Sequence, residues 1–427
     1  MPVPAMDISK FYAKLAVITT RALLLRFMPV RPNREGWEGR MLLINLDFIG
    51  DLVMFTAVLK HYRRACPGKT IFVLINSASG MSPLLLEGFA DEVLTLDAEA
   101  FRTNAWYGYR FIAKLRRIGF ATVAEHNPAM EFIGRTIAVE LGAERVFGYE
   151  GLAFDRDVPP SRNAELGTRY FDRVLSKKFT KVIPRITERI SPRYLTHMIA
   201  HHAAIFEGVT GREAPENLAP ELPRLPSDET IQGMLRKEGV KPYSYALIAL
   251  GASSFRKEWP PGKFAELGKV LVGKAIPIVL TGGKRDVPGA RAFAEFLGSP
   301  CIDLVGKTSI LDVVSLVRYS LITVSNDTAP THFAVALKRP SLTIMYPTRP
   351  GWAGPYGYRD INRWVIREDV PCFGDNGQCG NAAGPGVLAP CIAAVTVEDA
   401  KKELVPLLAH ITSGVPYPAT PFLLFAK

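Results

Sequence analysis

One polar segment of the sequence, residues 45–52, places a glycine and a carboxylate directly after an apolar run. Gly50 permits a tight turn of the chain, and Asp51 stands where the following helix is expected to begin. A carboxylate at this position either caps the helix or faces a substrate and accepts a proton as a general base. The spacing alone favours the cap, and the general base is the functional alternative.

A second segment, residues 251–260, has the composition of a phosphate-binding loop. Its small residues allow backbone N–H groups to approach an anion, and the hydroxyls of Ser253 and Ser254 are additional donors. Lys257 adds a positive charge. This combination favours phosphate binding, while an ordinary polar loop that leads into a helix at Pro261 is the alternative.

Two further segments complete this set. Residues 325–334 predict a strand end followed by a helix, with Pro330 in the first turn and Asp327 or Thr328 as its cap. The start of a helix attracts anions, and His332 would donate to the same anion. The alternative is a capped helix with a solvated histidine. In residues 281–286 a glycine pair permits close approach of a ribose or base.

Apolar strands alternating with helical segments must position these four loops. Strands are predicted over residues 41–49, 70–76, 92–97 and 120–126, and then over 245–251, 276–282, 301–305, 321–325 and 341–346. This alternation predicts an α/β protein with two Rossmann-like, doubly wound domains. Ligands of such sheets bind at the carboxyl ends of the strands, so the site is expected in a cleft between the domains.

The expected domain boundaries follow changes in composition. A helix within residues 1–37 precedes a Rossmann-like domain over 38–213, and a linker rich in proline and acidic residues covers 214–242. A second Rossmann-like domain is predicted over 243–410. The apolar tail, residues 411–427, is expected to pack on the first domain.

Composition narrows the class of protein further. The chain has 427 residues with 48% hydrophobic content and a net charge of +11. Five cysteines suit a reducing compartment, and no apolar run approaches the roughly 18–20 residues that a membrane span needs. The basic surface favours a polyanion, either an anionic membrane or a phosphorylated substrate, over nucleic acid, for which no binding motif is present.

The N-terminal segment predicts an amphipathic helix at a membrane interface. Lys10, Lys14 and Arg21 project to one side of the helix, beside an apolar stripe of Phe11, Leu15, Ile18, Ala22 and Leu25. We expect residues 1–37 to direct the protein to anionic bilayers without joining the folded core. The alternative is a helix that is docked on its own domain.

Possible metal sites are weaker signals. Asp155 and Asp157 form a DxD in a predicted turn, and His197 and His201 have helical i, i+4 spacing without a third ligand nearby. Three cysteines, Cys372, Cys379 and Cys391, lie in a glycine-rich segment whose role stays open. No metal is predicted. Basic residues of the first domain, Arg102 and Arg110 among them, suit an anionic ligand.

The four loops, in this order and spacing, resemble glycosyltransferase family 9, the heptosyltransferases of bacterial lipopolysaccharide synthesis. The resemblance covers roughly residues 40–410 and is carried by Gly50-Asp51-Leu52, by Gly251-Ala252-Ser253 with Lys257, Trp259 and Pro260, and by Asn326-Asp327-Thr328-Ala329-Pro330 with His332 and Ala334. It implies the glycosyltransferase B fold, an ADP-heptose donor, inversion at the anomeric carbon and no metal or other cofactor.

The resemblance implies that the domain over residues 38–213 binds the acceptor and that the domain over 243–410 binds the nucleotide-sugar. Arg102 and Arg110 of the first domain are the candidates for acceptor binding. The resemblance also assigns roles to other residues. It implies that Asp51 is the catalytic base and that Lys257 stabilises the leaving diphosphate. The predicted donor site contains Gly50, Ser253, Ser254, Gly282, Gly283, Asn326, Asp327, Thr328, Ala329 and His332. Two departures concern the donor: Ala329 replaces a usual glycine, and Lys284 stands where some members have an acidic ribose ligand.

The expected function is therefore the transfer of a heptose to an anionic lipid-linked saccharide. The protein is expected to be cytoplasmic and peripheral on the inner face of the bacterial inner membrane. The alternatives are the same fold with a UDP-hexose donor, a non-catalytic nucleotide-sugar-binding protein, and a nucleotide-sugar epimerase.

Overall fold

The computed structural model describes residues 8–77, 82–126, 132–149, 188–190, 197–346, 354–370, 373 and 388–413. The chain divides into two compact units, Met1–Ala214 and Pro215–Lys427. Asp155, Asp157, Cys372, Cys379 and the tail after residue 413 lie outside the described residues.

The first unit is built on a parallel six-stranded sheet with the order β3-β2-β1-β4-β5-β6. The strands are β1 Arg40–Ile44, β2 Thr70–Asn76, β3 Glu92–Leu96, β4 Thr122–Glu125, β5 Arg145–Tyr149 and β6 Glu188–Ile190. The helices are α1 Ile8–Phe27, α2 Ile49–Ala65, α3 Ala98–Thr103, α4 Ala105–Ile118, α5 Phe132–Glu140 and α6 Met198–Thr210. Strand β1 is apolar and almost fully buried, as is typical of a parallel strand that is covered on both faces.

Strand β1 ends five residues before its predicted end. Asn45 turns the chain here, because its side-chain oxygen accepts a hydrogen bond from the backbone N–H of Asp47 at 3.2 Å. Residues 45–48 therefore form a loop before α2. This local bond releases the polar residues from the strand and places them at the carboxyl edge of the sheet.

The second unit repeats the same plan with the strand order β12-β11-β10-β7-β8-β9. The strands are β7 Ala246–Ala249, β8 Ile278–Thr281, β9 Ile302–Asp303, β10 Ile322–Asn326, β11 Ser341–Ile344 and β12 Asn362–Val365. The helices are α7 Ser227–Lys237, α8 Pro261–Val272, α9 Val287–Leu297, α10 Ile310–Tyr319, α11 Ala329–Ala336, α12 Pro390–Ala394 and α13 Val397–Thr412. The predicted class, two α/β domains with doubly wound parallel sheets, is confirmed.

The predicted linker over residues 214–242 contains a helix of the second unit. Helix α7 packs on α10, where the Ser315 hydroxyl donates to the buried Asp228 carboxylate at 2.6 Å. Arg318 approaches the same carboxylate at 3.3 Å. Two of the acidic residues that suggested a linker, Asp228 and Glu229, belong to the first turn of α7, where carboxylates interact favourably with the helix dipole.

The N-terminal helix is part of the folded first unit, contrary to the expectation that residues 1–37 stay outside the core. Helix α1 packs against α3 and α4. Arg21, which was assigned to an exposed basic stripe, is only 2% exposed and pairs with Glu140 at 3.3 Å. Its guanidinium also stacks over the ring of Phe101, with 4.4 Å between its central carbon and the ring centroid. Helical projection identified a side of the helix but not which side the neighbouring helices cover.

The segment after α1 is anchored as well. The backbone N–H of Asn33 donates to the carbonyl of Arg116 at 2.7 Å, and Trp37 is buried. Among the helices of the described residues, none combines the length and the apolar character needed to cross a bilayer.

Candidate functional site

In the first unit the carboxyl ends of β1 and β4 bring five polar residues to one edge of the sheet. The two strands are paired, with Ile44 opposite Glu125. Beyond Ile44 follow Asn45, Asp47 and, in the first turn of α2, Asp51, while His126 follows Glu125. Neighbouring parallel strands end at a common edge, which is the usual ligand-binding edge of such sheets.

Asp51 is the third residue of α2 and does not cap it. The cap position belongs to Phe48, whose side chain makes no capping hydrogen bond. Gly50 precedes Asp51 in the same first turn. The capping role that spacing favoured for Asp51 is therefore wrong, and its assignment as a general base stays a prediction. Its carboxylate lies in the first turn, near the positive end of the helix dipole.

Glu125 and His126 were treated only as strand residues in the sequence analysis. Burial raises the pKa of Glu125 to about 7, although Arg135, at 3.5 Å, opposes that rise. Burial also lowers the pKa of His126 to about 3. The His126 Nε2 atom and the Tyr62 hydroxyl are hydrogen-bonded at 2.8 Å. The signal that sequence reasoning missed was two adjacent titratable residues at the end of an apolar strand.

The histidines of α6 lie inside the first unit. His197 occupies the cap position of α6 and accepts from the N–H of Ile199, and His201 and His202 are fully buried. The rings of His202 and His126 have centroids 5.5 Å apart. Over the described ranges, no group of three or more His, Cys, Asp or Glu side chains is arranged to hold a metal ion.

The two candidate acceptor residues lie on the helices that follow β3. Arg102 is exposed at the end of α3 and forms an ion pair with Glu99 of the same helix. Arg110 is exposed in the second turn of α4. The role of these two arginines in acceptor binding stays a prediction.

In the second unit the loop after β7 presents Lys257 to the end of β10. A short 3-10 helix, Phe255–Lys257, is capped by the Ser254 hydroxyl, which accepts from the N–H of Arg256 at 3.3 Å. This turn directs the Lys257 ammonium towards Asp327, whose carboxylate lies 2.9 Å away. The hydroxyl-bearing Ser253 is exposed beside it.

Asn326 joins the two loops through its side chain. Its amide nitrogen donates to the carbonyl of Leu250 at 2.7 Å, and its amide oxygen accepts from the N–H of Trp259 at 2.9 Å. Both ends of this fully buried amide are thereby used within the protein. The observed role of Asn326 is to hold the loop after β7 against β10, and its predicted contact with a donor stays a prediction.

Helix α11 starts directly behind Asp327. Thr328 occupies its cap position without a side-chain capping bond, and Ala329 is its first residue. An uncapped helix start leaves N–H groups for an anion. His332, in the first turn, is buried, and burial lowers its pKa to about 4, against the opposing effect of Asp327. The histidine is therefore neutral at pH 7 and differs from the solvated residue of the sequence-based alternative.

The glycines after β8 have a structural reason that the sequence analysis did not identify. The Asp286 carboxylate accepts from the N–H of Gly283 at 2.7 Å. A Cβ atom on Gly251 would overlap this carboxylate, and one on Gly282 would lie 2.9 Å from it. The loops after β7 and β8 can thus approach each other closely because Gly251 and Gly282 have no side chain. Whether Gly282 and Gly283 also contact a donor stays a prediction.

Arg285 links these loops further. Its guanidinium donates to the carbonyl of Ala252, forms an ion pair with Glu258 and lies over the ring of Phe255. The carboxyl edge of the second sheet therefore carries Lys257, Arg285 and an uncapped helix start, beside the carboxylates of Asp327, Asp286 and Glu258. The Lys257 ammonium and the N–H groups at the start of α11 can donate hydrogen bonds to a phosphate group.

Comparison with known proteins agrees with this geometry. A sequence profile described as glycosyltransferase family 9 (heptosyltransferase) matches residues 171–382. Lipooligosaccharide heptosyltransferase 2 of Haemophilus influenzae is 31% identical over 103 residues, which are 23% of this chain and 30% of that protein. The chain thus spans about 30% of the length of this curated relative.

Solved structures show the same fold over most of the chain. A glycosyltransferase family 9 protein from Veillonella parvula has a TM-score of 0.67 at 16% identity, covering 87% of this chain and 98% of that one. The Escherichia coli heptosyltransferase WaaC with ADP has a TM-score of 0.59 at 18% identity, covering 86% of this chain and 99% of that one.

Proposed function

Because the chain belongs to glycosyltransferase family 9, we propose that it is an inverting, metal-independent heptosyltransferase. The proposed donor is ADP-heptose, and the proposed acceptor is an anionic lipid-linked saccharide such as a lipopolysaccharide core. The observation that carries the proposal is the Lys257–Asp327 pair beside the uncapped start of α11. The relative WaaC, solved with ADP, supports the choice of an adenine nucleotide.

Lys257 and α11 would neutralise the leaving diphosphate. In the structure the Lys257 ammonium is held by Asp327, so it is positioned before a ligand arrives. A bound diphosphate would accept a hydrogen bond from this ammonium and from the N–H groups around Thr328 and Ala329. Ser253 and Ser254 would be additional donors, and neutral His332 would donate one ring N–H. Positive charge fixed in advance stabilises the charge that develops as the diphosphate leaves.

Asp51 would activate the acceptor. Its carboxylate would take the proton of an acceptor hydroxyl while that oxygen attacks the anomeric carbon from the face opposite the diphosphate. The new glycosidic bond forms as the bond to the diphosphate oxygen breaks, which inverts the anomeric centre and releases ADP. Asp51 belongs to the first unit and Lys257 to the second, so the proposed reaction uses residues of both.

The proposed location is the inner face of the bacterial inner membrane, as a peripheral protein. A lipid-linked acceptor requires the enzyme to work at a membrane surface. A net charge of +11 would favour an anionic leaflet and an acceptor that carries phosphates or carboxylates. Arg102 and Arg110 remain the proposed acceptor contacts.

Calorimetry with ADP, UDP, GDP and adenosine tests the donor site. Lys257→Ala should weaken ADP binding by roughly tenfold to a hundredfold, because it removes a charge-assisted hydrogen bond, and should leave adenosine binding nearly unchanged. Lys274→Ala, an exposed lysine of the same unit, is the control. Tighter binding of UDP would favour the UDP-hexose alternative, and equal losses for ADP and adenosine would remove Lys257 from the phosphate site.

Turnover tests the catalytic assignment. Asp51→Asn should abolish heptose transfer while ADP binding and melting temperature stay unchanged, and Glu92→Gln, an exposed carboxylate of the same unit, should retain turnover. Transfer should continue at the full rate in excess EDTA. Wild-type protein that binds ADP but transfers no sugar would favour the non-catalytic alternative, and a requirement for magnesium or manganese would contradict the metal-independent mechanism.

A further inference from the structure

Helix α1 has an unusual distribution of residues between its two sides. Arg21 is buried, whereas Leu23 and Phe27 of the same helix are exposed, Phe27 by 75%. Met28, directly after the helix, is exposed as well. A helix that only stabilises its own domain would turn these apolar residues inwards, because each exposed apolar side chain forgoes burial energy.

A second helix continues the exposed apolar surface. Trp106 of α4 is 48% exposed, and its ring stacks on Tyr109 with centroids 5.2 Å apart. The Tyr109 hydroxyl donates to the carbonyl of Met28 at 3.0 Å. This chain of contacts joins the end of α1 to the start of α4. We call Leu23, Phe27, Met28 and Trp106 the α1–α4 patch.

Basic residues surround the α1–α4 patch. Arg110 and Lys114 follow Trp106 at intervals of four residues and share its face of α4, and both are exposed. Arg117 continues this row, and Arg26 is exposed beside Phe27 on α1. Neither α4 nor the part of α1 from residue 16 onwards contains an acidic residue. The surface therefore combines interfacial aromatic and aliphatic side chains with an unopposed positive charge.

We infer that the α1–α4 patch is the surface by which this protein binds an anionic lipid bilayer. Phe27, Met28 and Trp106 enter the region between headgroups and acyl chains, and Arg26, Lys114 and Arg117 pair with anionic headgroups. The choice of a membrane as partner rests on the proposed function, which requires a lipid-linked acceptor. The exposed face of α1 is thus different from the Lys10, Lys14 and Arg21 stripe of the sequence-based prediction, since Arg21 is buried.

Sedimentation of the full-length protein with lipid vesicles tests this surface. Phe27→Gln and Trp106→Gln should each weaken binding to phosphatidylcholine–phosphatidylglycerol vesicles by about tenfold. Phe296→Gln, which alters an exposed aromatic residue of the second unit, should not change it. The double variant R26Q/K114Q should lose about twenty-five-fold, at roughly fivefold for each charge. Phosphatidylcholine alone should bind the wild type poorly.

Two other results would overturn the inference. Wild-type affinity of both Phe27→Gln and Trp106→Gln would exclude the patch, and a dimeric wild type that becomes monomeric in these variants would make it an interface between copies. ADP calorimetry on the same proteins separates this inference from the proposed function. Vesicle binding at the patch without ADP binding would contradict the function alone, and ADP binding without vesicle binding would contradict the inference alone.

Discussion

Replacement of Arg21 by methionine tests how firmly α1 belongs to the first unit. The Arg21 side chain is 2% exposed and its partner Glu140 is 14% exposed, at 3.3 Å. Methionine keeps much of the packing against Phe101 but removes the charge. Loss of one partner from a buried ion pair typically costs about 3–5 kcal/mol, since the other charge stays buried without compensation. We expect Arg21→Met to lower the free energy of unfolding of the first unit by this amount.

The pH dependence of the stability loss in Arg21→Met identifies the cause of that loss. Burial raises the pKa of Glu140, and Arg21 opposes that rise. In Arg21→Met the pKa of Glu140 should rise further. A carboxyl group whose pKa is higher in the folded state than in the unfolded state destabilises the fold as the pH increases. The deficit should therefore be larger at pH 8 than at pH 5. The double variant R21M/E140L should recover most of it, because neither charge of the Arg21–Glu140 pair then remains buried.

Hydrogen exchange of the first unit in urea measures these free energies segment by segment. Arg26→Met is the matched control, since Arg26 is exposed on the same helix and its replacement should change stability by less than about 0.5 kcal/mol. If Arg21→Met and Arg26→Met have the same small effect, or if the deficit does not depend on pH, the docking of α1 through Arg21 and Glu140 is refuted.

Two more predictions concern the edges of the two sheets. Gly251→Ala should lower the free energy of unfolding by about 1–3 kcal/mol, because the added Cβ overlaps the Asp286 carboxylate. In thermal unfolding, the double variant G251A/D286A should recover much of this loss. Equal melting temperatures of G251A and the wild type would contradict the close approach of Gly251 to Asp286. At the edge of the first sheet, His126 and Glu125 should make the free energy of unfolding depend on pH in opposite directions. The lowered pKa of His126, about 3, makes stability fall as the pH drops below 6.5, so His126→Gln should reduce the loss between pH 7 and 4.5 by up to about 2.7 kcal/mol. The raised pKa of Glu125, about 7, makes stability fall as the pH rises from 4.5 through 7, so Glu125→Gln should reduce that loss. Urea unfolding at a series of pH values measures both effects. If neither variant changes the pH profile, the burial of Glu125 and His126 does not control stability.

Local patterns were sufficient to predict the class of fold and the position of the candidate loops. Apolar runs of four to seven residues that alternate with helical segments favour buried parallel strands, and polar residues that follow such runs then lie at a strand end. The loop at Lys257 and the start of α11 were predicted for this reason, and the structure places Lys257 beside Asp327. The resemblance to glycosyltransferase family 9 was also predicted from these loops, and a profile of that family matches residues 171–382.

Features that depend on contacts between distant residues were not available from local patterns. Arg21 is buried because Glu140, 119 residues away, and Phe101 surround it, and helical projection contains no information about such partners. Gly251 is required by the Asp286 carboxylate, and the pKa of Glu125 depends on how completely other elements cover the end of β4. Burial and pairing are properties of the packed chain, because they depend on which segments meet and not on the order of residues within one segment.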